Sequence, residues 1–152
     1  MKTTEFTCKH FNELNSYELY EIGRARQEVF ILEQNCPYVD FDSKDFECYH
    51  LYTTNKAKEI QCYARLVPIG VSYEAYVSIG RVITTKSSRG IGLGKKLMEE
   101  AIALCKYYWP NREVKISAQT YLLDFYMQLG FCSTGKEYEE DGIPHTEMIL
   151  TN

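Results

Sequence analysis

The stretch RVITTKSSRGIGLGKK, Arg81 to Lys96, runs from a β-prone segment through alternating glycines into a helix. It holds five cationic residues (Arg81, Lys86, Arg89, Lys95, Lys96) and no acid. In a turn of alternating glycines, successive backbone N–H groups point into one concavity, and the following helix adds the positive end of its dipole. The natural guest is an anionic phosphate, which the backbone can approach closely because glycine has no side chain. Two familiar phosphate loops are excluded. Arg89 stands five residues before Gly94, and Lys95 is followed by Lys96 rather than Ser or Thr, so the Walker pattern fails. Lys95 stands three residues after Gly92, so the dinucleotide pattern fails as well. What stands is R-G-x-G-x-G over Arg89, Gly90, Ile91, Gly92, Leu93 and Gly94.

Downstream, Leu93, Leu97, Ala101, Leu104 and Tyr108 recur at three- and four-residue intervals and predict an amphipathic helix ending before Pro110. Val114–Ala118 predicts a short strand and Tyr121–Leu129 a second helix stopped by Gly130. Two further strands follow, joined by a turn on Asp141-Gly142. Upstream, strands are expected at Glu5–Lys9, Cys48–Thr54, Ile60–Pro68 and Ala75–Thr84. A helix is expected from Ser16 to Leu32, with Asn15 and Glu18 spaced as a capping box and Leu19, Ile22, Val29 and Phe30 on one face. Gly23 weakens that helix by about 1 kcal/mol. Residues 35–45 read as an irregular loop. The order is that of an α/β protein with a mixed sheet and helices packed on it.

The 152 residues predict one domain, with neither repeats nor a Pro/Gly/Ser-rich linker to divide them. A hydrophobic share of 45% and a charged share of 25% exclude disorder, collagen and coiled coil as the main description. Seventeen basic against twenty-one acidic residues give a net charge of −4, which argues against a nucleic-acid partner. The longest apolar run, Ala101 to Cys105, is too short to span a membrane, and the first residues form no secretory signal. A cytoplasmic protein is expected. Its six cysteines, at 8, 36, 48, 62, 105 and 132, form no C-x-x-C pair and predict reduced thiols with no metal site, Cys36 and Cys132 being the ones to watch for reactivity.

Arg89 to Gly94 resembles motif A of the GNAT superfamily of acetyl-CoA-dependent N-acetyltransferases. Phe125-Tyr126, followed by Leu129-Gly130-Phe131, resembles the family's FYxxxGF segment. VFILEQNCPYVDFD (29–42), SAQTYLLDFY (117–126) and YEEDGIPH (138–145) resemble its ElaA-like branch over most of the chain. The resemblance implies the GNAT, or acyl-CoA N-acyltransferase, fold: a mixed, mostly antiparallel sheet flanked by helices. It also implies acetyl-CoA as cosubstrate, with Val82, Ile83 and Thr84 pairing with the pantetheine arm. Arg89, Gly90, Ile91, Gly92, Leu93, Gly94 and Lys95 would hold the pyrophosphate. Ala118-Gln119 departs from the Asn common in the wider superfamily.

Transfer to an amine sets two chemical demands. A lysine-like amine with a pKa near 10.4 costs roughly 4.6 kcal/mol to neutralise at pH 7, so a base or an acidic pocket is useful. The departing thiolate gains from a proton donor. Tyr126 matches the family's donor. His145 is the first candidate base, with Glu33 and Glu140 as competitors and His50 and His10 behind them. Acidic residues at 40, 42, 45 and 47, and again at 137, 139, 140 and 141, would attract a cationic small-molecule or peptide amine if they border its cleft. The other reading is a non-catalytic acyl-CoA-binding or regulatory module. Edge strands and helix faces leave room for a homodimer.

Overall fold

The computed structural model describes residues 4–151. Strands β1 (Thr7–His10), β2 (Tyr49–Thr54), β3 (Ile60–Val67) and β4 (Ser78–Thr84) form an antiparallel sheet in sequence order. Strands β5 (Val114–Gln119), β6 (Cys132–Glu140) and β7 (Ile143–Leu150) form a second antiparallel sheet, with β7 in the middle. The two sheets meet where Val77 pairs with Val114 in parallel, its N–H donating to Glu113 O at 3.2 Å and its carbonyl accepting from Lys115 N at 2.9 Å. Beyond that point β4 and β5 part. Their facing edges are left open.

Helix α1 (Ser16–Arg26) begins at the expected capping box: Asn15 Oδ1 accepts from Glu18 N at 2.8 Å, and Glu18 Oε1 accepts from Asn15 N at 2.9 Å. Residues 27–33 do not continue as α-helix. They widen into π-helical turns, with Gln34 N bonding to Val29 O and Cys36 N to Ile31 O, five residues back. The expected helix to Leu32 is therefore split in character. Gly23 has a packing reason, because a Cβ there would stand 2.9 Å from Phe41 Cζ.

Helix α2 (Leu93–Tyr108) buries Leu93, Leu97, Met98, Ala101 and Cys105. Leu104 and Tyr108 are only partly buried, so the apolar stripe is rotated slightly from the one expected. Helix α3 is short, Leu123–Gln128, and is preceded by a 3₁₀ turn. Central strand β3 is covered on both faces. Cys62, Ala64 and Leu66 join the core under α2, whereas Tyr63 joins Ile22, Ala25, Val29 and Phe30 under α1. Burial of both faces explains why β3 reads as a near-continuous apolar run.

Five of the six cysteines are at least partly buried, and all six are free. Burial raises the Cys8 thiol to about 11 and those of Cys48, Cys62 and Cys105 to about 12, keeping them protonated. Cys132 is exposed, and Cys36 Sγ lies 3.4 Å from Asp141 O. No described helix is long and apolar enough to cross a membrane.

Candidate active site

The parting of β4 from β5 opens a cleft of about 960 Å³ that is also lined by the π-helical segment 27–33 and the β6–β7 turn. At one end lies the glycine turn. Gly90 and Gly92 hold φ of +85° and +77°, a left-handed backbone that disfavours side chains. Among the described residues, nothing lies within 4 Å of where a Cβ would stand at either glycine, while a Cβ at Gly94 would meet Thr84 Oγ1 at 3.4 Å. No side chain caps the first turn of α2. The turn is an open concavity with unclaimed amide donors at a helix start, which suits a diphosphate.

Val82, Ile83, Thr84, Arg89, Gly90 and Gly94 border the cleft. Leu93 instead faces the core, and Ile91 and Lys95 face solvent. Charge is arranged differently from the linear count of five cations. Arg89 clamps Glu33 through two hydrogen bonds of 2.6 and 2.9 Å and donates to Thr84 O. Arg81 turns away from the loop altogether, bonding to Asp40 and Asp42. Lys86, Lys95 and Lys96 remain at the surface.

Glu33, a candidate base in the sequence, is thus tied to the phosphate-loop end. Its hydrogen bonds from Arg89 hold the carboxyl below its ordinary value, which makes it a weak proton acceptor.

Tyr126, on α3, lines the cleft and is buried. Burial pushes its hydroxyl up to about 12, so it stays protonated at neutral pH. Its hydroxyl has no hydrogen-bond partner among the described residues and is available to donate.

His145, on β7, lines the same cleft and stacks on Tyr138 with ring centroids 6.1 Å apart. Its Nδ1 lies 2.7 Å from Ile143 O. A carbonyl only accepts, so Nδ1 carries the proton and Nε2 is the free lone pair, with Glu140 Oε2 at 3.7 Å. Tyr138 also donates to Ser117 Oγ. His50 is unsuited to act here: it is wholly buried against Tyr63 and the Asp45 carbonyl.

The acidic loop 40–45 is the main departure from the sequence reading. Asp40 accepts from Arg26 and Arg81; Asp42 accepts from Arg65 and Arg81; Asp45 accepts from Arg26 and Arg65. Burial would raise the Asp42 carboxyl, but Arg65 and Arg81 bring it down to about 2. Three guanidiniums cancel three carboxylates, so the loop offers a cationic amine no net charge. Sequence reasoning missed this lattice. The signal was present: Arg26 falls four residues after Ile22 and four before Phe30, on the apolar face, and Arg65 interrupts an apolar strand.

Splayed strands over an anion-accepting glycine turn define the acyl-CoA N-acyltransferase fold. A family model described as an acetyltransferase (GNAT) domain matches residues 28–152. Protein ElaA of Escherichia coli is 39% identical over 145 residues, covering 95% of this chain and 94% of that one. The crystal structure of ElaA superposes with a TM-score of 0.88. An acyl-CoA N-acyltransferase from Pseudomonas aeruginosa gives a TM-score of 0.90 at 37% identity, covering 97% of this chain and 99% of that one. The chain belongs to the GNAT acetyltransferase family, in its ElaA-like group.

Proposed function

We propose that the protein is an N-acetyltransferase that carries the acetyl group of acetyl-CoA to a primary amine by direct attack, with both substrates bound together. The observation that carries this reading is the unpartnered, protonated Tyr126 hydroxyl facing a cleft that begins at the glycine turn. The residues present suit the donor. Gly90 and Gly92 leave room for a diphosphate, the uncapped start of α2 supplies N–H donors, and the open edge of β4 from Val82 to Thr84 offers backbone groups to an extended amide-bearing arm.

Acetyl-CoA supplies an activated acyl carbon and a thiol leaving group. Around it, His145 Nε2 accepts the proton that the amine sheds as its nitrogen bonds to the acyl carbon. Tyr126 gives its proton to the sulfur as the carbon–sulfur bond breaks. Glu140, beside His145, steadies the imidazolium so formed. Cys48, Cys62 and Cys105 are unsuited to form an acyl-enzyme, since burial keeps them as neutral thiols away from the cleft.

Thiol release from acetyl-CoA, measured against a library of amines, tests the reading. Amine-dependent release supports it; tight acetyl-CoA binding without release for any amine favours the non-catalytic module.

A further inference from the structure

The charges that border the cleft sort into pairs with two kinds of remainder. Glu33 is matched by Arg89, and Asp42 by Arg65 and Arg81. On one wall this leaves Glu140 and Asp141, at the turn that carries His145. On the other it leaves Lys44. Half-buried in the loop before β2, Lys44 lines the cleft and donates from Nζ to Ser72 Oγ at 3.2 Å. No carboxylate among the described residues pairs with it. Beside it three arginines are spent on three aspartates, so Lys44 is the surplus cation, and Arg65 Nε has no partner among the described residues.

The two remainders share one end of the cleft. Ser72 precedes Tyr73, which also lines it. Lys115 Nζ lies 4.9 Å from the centre of the Tyr73 ring, and two residues further along β5 Ser117 Oγ accepts from the Tyr138 hydroxyl. Tyr138 in turn stacks on His145. A cation with a hydroxyl beside it therefore shares the cleft with a base that has a carboxylate beside it.

We propose that the acceptor is zwitterionic, an amine carrying its own carboxylate, as in a free amino acid or a short peptide. Its ammonium sits by Glu140 and His145, and its carboxylate rests on Lys44 Nζ and Ser72 Oγ. This assignment rests on the transfer reading above and narrows its acceptor. It also replaces the purely cationic amine expected from the acidic clusters, because one of those clusters is neutralised.

The test is a matched series of L-amino acids and dipeptides, each beside its C-terminal amide, assayed by thiol release from acetyl-CoA. The free acid is expected to exceed its amide in kcat/KM by tenfold or more, the scale of one charge-assisted hydrogen bond. Lys44→Met should bring the acid down to its amide through KM, and Lys44→Arg should keep part of the preference. Equal rates for acid and amide, or an equal loss of both in Lys44→Met, overturn the proposal. A second arm does not depend on turnover. In the presence of CoA, N-acetyl amino acids should raise the melting temperature of the wild-type protein, while their amides and the Lys44→Met variant should show no such shift. Equal shifts for acids and amides, or none, overturn the zwitterionic acceptor. Absence of thiol release with this binding preference intact tells against the transfer reading alone.

Discussion

Replacing Tyr126 by Phe removes a single oxygen that makes no hydrogen bond among the described residues, so the fold should hardly register the change. Turnover should fall by about 10²-fold or more while acetyl-CoA affinity, read by calorimetry, stays within twofold. His145→Gln should lower kcat by about 10²-fold, because Nε2 is the only free imidazole lone pair in the cleft among the described residues; unchanged turnover excludes it as the base. The sequence singles out both positions, Tyr126 through its motif and His145 through its turn, and both line the cleft. The arginine–aspartate lattice was not. Asp40 is 14 residues from Arg26 and 41 from Arg81, and a linear reading sees neighbouring acids before it sees distant partners. Lys44 was passed over for the same reason, since its meaning comes from Ser72 and the opposite wall.

Secondary elements were mostly readable, and the exceptions have local causes. Helix α1 and α2 follow from capping chemistry and apolar spacing. The π-helical turns of 27–33 do not, because one extra residue per turn shifts Glu33 toward Arg89 without altering which residue types appear. The bulge in β4 was equally hidden. Gly80 pairs with Arg65 and Ile83 with Tyr63, so Arg81 and Val82 together oppose Ala64 alone. Arg81 takes φ of +52° there, a conformation uncommon outside glycine, and its ion pairs to Asp40 and Asp42 hold it. The glycine turn shows the opposite case, in which conformation was written directly in the sequence. Gly92→Ala, forced into φ of +77°, should destabilise the protein by about 1–2 kcal/mol in denaturant unfolding and raise the KM for acetyl-CoA.

For the molecule as a whole, the arginine lattice ties α1, the loop before β2, β3 and β4 into one body. Arg26 is almost fully buried, so Arg26→Met takes one of two arginine partners from each of Asp40 and Asp45 and should cost about 3 kcal/mol in chemical denaturation. Stability should also fall in acid in two stages. Burial keeps His50 below its ordinary 6.5, so as pH drops past that value the unfolded chain takes up a proton that the native protein refuses. Asp42, despite burial, is held at about 2 by its arginines; its contribution is complete above the ordinary 3.8 and disappears as pH falls toward 2. Thermal melts of His50→Gln should lose the first stage and keep the second. The net charge of −4 foretold neither stage, because the groups responsible are paired or neutral inside the protein. The pairing of Val77 with Val114 has a mechanical meaning as well. It acts as a rivet between two leaves whose inner edges lack partners, so an extended guest lying along β4 would serve as a borrowed strand. Amide hydrogens of residues 78–84 and 115–119 should then exchange with solvent more slowly once the donor is in place, the protein stiffening where its own chain left a seam.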